Sequence, residues 1–423
     1  MLEEMQKRPF VRPLFWWITG ILLQVCFPLQ QLSWLLLIIV AVVVVLSLCF
    51  VKRNAAVPYQ YRWVWGALIA CLFIFFAIQS TYIAEKKMSM PPSSGWIREK
   101  AQQTQAVMTG KLDRLQVSDD TKAVLAAITV NYKKTMTREM RSRFSTTGVA
   151  HLLSVSGFHV GIVCAFLGLL FSAFPRRQLF HWSKYILTVS LLWVFAFIAG
   201  LSNPAVRAAL MLTIYLTGQV LRHRPERYNT LAAAAFCMLA YNPLFLFDIG
   251  FQLSFTAVFF ILYLQPRFYR LIELRNPIFK SLWGILTVTV AAQIGTVFLS
   301  CFYFGQSSSV FLFTNLFLSL LATLLVPLTL IWMILPVGIP GIGILQWVIE
   351  ILSKGMMEVV NRFSQIPGST FAVRFDLTTM LFAYAILVLL LCYFRSKRSW
   401  MLFTSLLLIL FLLGKTIINV SLN

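Results

Sequence analysis

The chain has 423 residues, 59% of them hydrophobic and only 12% charged, with a mean hydropathy of +0.80 and a formal net charge of +22. A soluble protein is about 45–50% apolar and about 25% charged, so a soluble globular fold is excluded, and no short alternating segments of a β-barrel appear. The seven cysteines lie far apart inside apolar runs without CxxC spacing, which predicts neither a disulfide framework nor a metal knuckle.

The predicted fold class is all-α: a polytopic membrane protein with roughly 12 transmembrane helices and one short external loop region. Lys7, Arg8 and Arg12 precede the first apolar run, 14–29. No small-x-small cleavage site follows and a second run begins at once, so this is a retained span rather than a signal peptide. Residues 32–51 carry no charge, enough to cross a hydrocarbon core about 30 Å thick at about 1.5 Å per residue. A third run, 63–80, completes an N-terminal group of transmembrane helices over 1–80.

Residues 81–148 form the long hydrophilic stretch, an external loop with twelve Lys/Arg against six Asp/Glu. Met90–Gly95 reads as a turn or linker. Ser118 before Asp119 and Asp120 predicts a helix start near 119. Thr137 is the next N-cap, and Gly148 is the residue that follows that helix.

Runs at 149–174, 185–202, 208–221, 231–247, 249–265, 281–304 and 309–335 make a membrane core over 149–336. Pro327 inside the last leaves open a re-entrant pair. The C-terminal part, 337–423, holds runs 377–394 and 399–414. Before them, Gln346, Glu350, Lys354, Glu358 and Arg362 recur every four residues and draw a polar stripe on one helix face. Two alternatives stand for this stretch: an amphipathic helix on the membrane surface, or a span whose stripe lines a water-filled path.

Basic clusters at 7–12, 52–62, 176–184, 222–227 and 267–280 fall on one side if each run crosses once, which makes that side cytoplasmic. Much of the positive charge is then topological and does not by itself imply a nucleic-acid partner.

Four motifs carry candidate residues. In HLLSVSGFHVG, Ser154, Ser156, Gly157 and Gly161 are small, and the Gly157–Gly161 spacing suits close helix approach. His151 and His159 lack carboxylate or further His partners at ligand spacing, so hydrogen bonding is the expected role and no metal or cofactor is predicted. In GLSNPAVRAALM, Asn203 as N-cap and Pro204 at the first helical position start a helix carrying Arg207 in its first turn. In NPLFLFDIGFQLSF, Asp248 is expected as an N-cap or as the partner of Arg207. Gln252, four residues on, and Ser254 are candidates for contact with cargo. In CFYFGQSSSVFLFTN, Tyr303, Gly305 and Gln306 belong to a tight external turn, and Asn315 lies just inside the next span. His151, Arg207, Asp248, Tyr303 and Gln306 fall at outer helix ends, which predicts a shared outer mouth.

In this order the motifs, from about Val117 to about Pro336, resemble the ComEC family of competence proteins, membrane channels through which transforming DNA enters bacteria as a single strand. The resemblance implies a multi-pass channel in the bacterial cytoplasmic membrane. Single-stranded DNA and membrane lipid are the implied partners. A separate DNA receptor, a nuclease, a cytoplasmic helicase or motor and a homo-oligomer are further candidates. Family members commonly carry an external OB-like domain, where this chain offers about 30 residues, too few for a five-stranded barrel. Many also carry a metallo-β-lactamase-like domain; no HxHxDH run occurs here. The expectation is a short member and no enzyme, since no nucleophile–base or metal constellation is present. The alternative is a transporter for a small solute or lipid-linked substrate, which would favour midplane charges and internal repeats.

Overall fold

The computed structural model describes residues 8–54, 62–88, 95–173, 178–221, 226–336 and 339–422. Linker residues 90–94 and the basic residues Arg176, Arg177, Arg222 and Arg224 lie outside the described residues. The elements in chain order are α1 (Val11–Cys26), α2 (Ser33–Asn54), α3 (Arg62–Met88), α4 (Trp96–Lys111), α5 (Asp119–Val130), α6 (Arg138–Thr146), α7 (Gly157–Leu170), α8 (Gln178–Ile198) and α9 (Asn203–Val220). There follow α10 (Arg227–Tyr241), α11 (Ile249–Tyr269), α12 (Pro277–Phe304), β1 (Gln306–Ser308), α13 (Phe311–Ile334), α14 (Ile342–Ser364), β2 (Thr370–Ala372), α15 (Leu377–Ser396) and α16 (Ser399–Leu422). The protein is all-α, with one antiparallel ribbon among the described residues, in which Gln306 pairs with Ala372 and Ser308 with Thr370.

Among the described residues, six helices are long and apolar enough to cross a membrane: Val64–Lys87, His181–Ile198, Ile249–Tyr269, Pro277–Phe304, Phe311–Ile334 and Leu377–Ser396. Shorter apolar helices cover Val11–Cys26, Ser33–Val45, Gly157–Leu170 and Ser399–Lys415. Two hydropathic runs are broken by local chemistry. The run at 149–174 opens with a short 3₁₀ turn, Ala150–Leu153, and restarts as α7 only at Gly157. The run at 231–247 ends as a helix at Tyr241, because Pro243 pushes Asn242 into extended backbone (φ −146°). Pro327, in contrast, does not divide α13, which continues past it as one helix.

Within 95–148 the predicted caps are present. Ser118 Oγ accepts from Thr121 N–H and Thr137 Oγ1 from Met140 N–H. At the end of α6, Gly148 N–H donates to Ser145 O and Val149 N–H to Phe144 O, with Gly148 at φ +76°. That pair of bonds is a Schellman ending, and its left-handed residue favours glycine. These helices do not form a free-standing loop. Val124, Leu125, Ala127 and Ile128 of α5 and Phe144 of α6 are buried in one cluster with Leu318 and Leu325 of α13 and with α14. α14 contributes Ile349, Met356 and Val360, a seven- and four-residue spacing on one face. That face is covered by protein, while Ile344, Trp347 and Ile351 of the same helix stay exposed. Glu350 on the polar stripe accepts from Gln116 N–H at 2.8 Å and from Gln346 at 2.9 Å.

A second cluster joins α7, α8 and α9 to Val326 of α13, and a third joins α1, α3, α10 and α11. The α11–α12 pair approaches closely where Gly295 receives Phe260: a Cβ at Gly295 would lie 2.6 Å from that ring.

Candidate functional site

The predicted Arg207–Asp248 pair is formed. Asp248 ends the Pro243–Phe247 turn and caps α11, its Oδ1 accepting from Phe251 N–H at 2.7 Å. Arg207 Nη1 lies 3.5 Å from the same oxygen, and Nη2 donates to Ser254 Oγ at 3.2 Å. The arginine side chain is only 5% exposed, while the carboxylate is 38% exposed. Arg207 Nε has no partner among the described residues. A long ion pair on one oxygen therefore leaves a buried cation partly unsatisfied. Gly250 makes room for it: a Cβ there would sit 2.9 Å from Nη2 and 3.1 Å from Oδ1.

One turn further along α11, Gln252 bridges two elements. Its Nε2 donates to Leu246 O at 3.0 Å, and its Oε1 accepts from Tyr303 Oη–H of α12 at 2.7 Å. Past Tyr303, Gly305 closes α12 in a left-handed conformation (φ +65°), and Gln306 Nε2 donates to Ser145 Oγ of α6 at 2.6 Å. Asn315 is buried in α13, with Nδ2 donating to Thr289 Oγ1 of α12 at 2.8 Å.

In the histidine motif, His159 is fully buried and serves α7 itself. Its Nδ1 accepts from Ser156 N–H at 3.2 Å, while the Ser156 side chain accepts from the third helical residue. This is a capping box with histidine in the place usually held by Glu or Gln. An accepting Nδ1 puts the ring proton on Nε2, and that N–H is buried without an acceptor. His151 is exposed, its ring 6.1 Å from that of Phe311, and its carbonyl accepts from Ser154 Oγ at 3.2 Å.

Two expectations are corrected. The cap of α9 is Ser202, one residue before Asn203; Asn203 is the first helical residue, with Pro204 after it. Gly161 meets nothing within 4 Å and Gly157 meets only Ala208 Cβ at 3.8 Å, so their spacing does not mark a tight helix crossing. The tight approaches lie at Gly295 and Gly20, where no four-residue glycine spacing signals them. The polar links at the motifs are Arg207–Asp248–Ser254, Gln252–Tyr303, Gln306–Ser145 and Asn315–Thr289, and the His151 side chain also meets that of Asn315, which joins the first motif to the fourth. Thr289, Ser145 and Arg374, whose side chain packs against Gly305, were not legible as partners. Ser145 is 161 residues from Gln306 in the chain, and nothing local marks it.

Apolar helices of spanning length and buried polar links between them define an all-α membrane protein. The chain belongs to the competence protein family: the family model described as "Competence protein" matches residues 128–398. It is 26% identical over 291 residues to ComE operon protein 3 of Bacillus subtilis, covering 66% of this chain and 35% of that protein. An uncharacterized protein of Aquifex aeolicus is 32% identical over 130 residues, covering 31% of this chain and 30% of its own length. Recombination protein 2 of Haemophilus influenzae is 27% identical over 142 residues, 32% of this chain and 18% of that one. The chain thus spans about a third or less of the length of these curated relatives. No solved structure matches.

Proposed function

We propose that the chain forms a path by which a single DNA strand crosses the bacterial cytoplasmic membrane during competence. Membership of the competence family carries the proposal. The buried cation at Arg207 and the amide and hydroxyl groups of Gln252, Ser254, Tyr303, Gln306 and Asn315 support it, because a strand requires positive charge and hydrogen-bonding groups along its way. In this reading the six long helices, the four shorter apolar ones, and α9 and α10, which overlap the predicted runs 208–221 and 231–247, supply the roughly 12 crossings that hydropathy predicts. A separate nuclease is a candidate partner in this reading.

The test is deletion of the gene, followed by separate assays of DNA binding, internalisation and transformation. Loss of internalisation with surface binding intact is expected. Unchanged internalisation would refute the proposal and leave a transporter for a small or lipid-linked solute as the better reading.

A further inference from the structure

A cavity of about 730 Å³ lies between α1, α10 and α11, with Leu299 of α12 and Tyr384 and Val388 of α15 on its far side. Its walls are apolar, from Leu14, Ile18, Leu231, Leu239 and Phe255 among others. The polar groups inside are few. Thr256 is one; the Tyr384 hydroxyl is already committed, donating to Gly295 O at 2.7 Å. At its rim Phe259 is 44% and Val388 51% exposed, so the trough opens on the outer surface of the helix bundle.

One end of this trough is cationic. Arg8 and Arg12 line it beside Tyr228. The Arg8 guanidinium sits 4.8 Å over the Tyr228 ring, with its Nε 3.3 Å from Glu226. Arg12 is exposed and enters no ion pair among the described residues. Phe10 N–H donates to Asn229 Oδ1 at 2.9 Å, which fastens the start of α1 to the start of α10. The start of α10 is capped by Glu226, whose Oε2 accepts from Asn229 N–H at 2.6 Å, whereas the start of α1 has no side-chain cap and adds a partly positive helix end beside Arg8 and Arg12.

We propose that this trough is a binding site for one anionic glycerophospholipid, its phosphate held by Arg8 and Arg12 and an acyl chain laid along α10 and α11. Dimensions and charge both select that occupant. From Tyr228 to Leu239 the trough follows α10 for about 16 Å, one leaflet of a hydrocarbon core about 30 Å thick. The cationic end belongs to the 7–12 cluster that the positive-inside rule puts in the cytoplasm, where the leaflet carries anionic lipid. A DNA strand fits poorly, because it brings a phosphate with every nucleotide and the trough has no cation beyond its rim. The site is independent of the DNA path, and its test does not involve DNA uptake.

The full chain is purified in detergent and titrated with phosphatidylglycerol, phosphatidylcholine or inorganic phosphate, with binding followed by native mass spectrometry and thermal stability. Phosphatidylglycerol is expected to bind more tightly than phosphatidylcholine, and inorganic phosphate to leave stability unchanged. Arg12→Glu is expected to weaken phosphatidylglycerol about 25-fold, a factor of about five for each unit of charge. It leaves the Arg8–Glu226 pair in place. Val388→Trp, at an exposed rim position, should fill the trough and displace both lipids. Equal binding of the two lipids, unchanged selectivity in Arg12→Glu, unchanged lipid retention in Val388→Trp, or displacement of the lipid by a single-stranded oligonucleotide would each overturn the assignment.

Discussion

Asp248 carries two loads on one oxygen, the cap of α11 and the charge of Arg207. Breaking a buried pair by removing one partner costs about 2–5 kcal/mol, less where water reaches it, as it does at the 38% exposed carboxylate. Arg207→Ala and Asp248→Ala are each expected to lower the melting temperature and yield of detergent-solubilised protein, and the double variant to be no worse than the poorer single. Asp248→Asn keeps a capping oxygen but removes the charge, so it isolates the ion pair from the cap, itself worth about 1 kcal/mol. Additive losses would mean that the two residues act separately and would leave Arg207 a candidate for direct phosphate contact, for which Arg207→Lys should retain partial uptake with a steep salt dependence. His159 lends itself to a sharper test. If it caps α7 through Nδ1, His159→Gln should keep most of the stability, and His159→Leu should lose about 1 kcal/mol. Nitrogen-15 NMR of labelled histidine should show the Nε2–H tautomer.

α14 is the element whose role changed most between sequence and structure. Beside the polar stripe that suggests a lipid surface or a water path, it has a protein-facing side, where Ile349, Met356 and Val360 are buried with α5, α6 and α13, and an exposed apolar edge at Ile344, Trp347 and Ile351. Met356→Ala should therefore destabilise by about 2–5 kcal/mol, as cavities in packed cores do. A surface helix resting on lipid would show little change in thermal denaturation. The α15–α16 hairpin has its own fastening at one end. Lys415 Nζ donates to Asp376 Oδ2 at 2.6 Å and, with Thr378 and Thr379, holds the Asp376 carboxyl well below the usual carboxylate range. A depressed folded-state pKa stabilises above the ordinary carboxylate value, about 3.9, and the contribution is lost as pH falls through the folded one. Asp376→Asn should flatten the stability of the protein between neutral and acid pH; an unchanged profile would mean that solvent screens the contact at this exposed site.

For the molecule as a whole, the basic loops predict an orientation. In a cysteine-free background, a cysteine at residue 272 should be shielded from a membrane-impermeant reagent in intact cells, and one at residue 139 should label. The reverse pattern would invert the topology and place the Arg207 cluster at the inner face. Hydropathy, charge counting and cap chemistry are local properties, so the class of fold, the family motifs, the starts of α5 and α6 and the Gly148 ending were all legible along the chain. Arg207 and Asp248 could be paired from sequence, because each is the lone charge of its sign at its helix start. Local pattern could not supply which distant groups meet. Gln306 finds Ser145, Asn315 finds Thr289, β1 finds a strand more than sixty residues later, and five helices enclose one trough. Such contacts follow from how whole helices pack: packing depends on the shapes of faces far apart in sequence, and the same apolar residues satisfy many pairings until all of them are placed together.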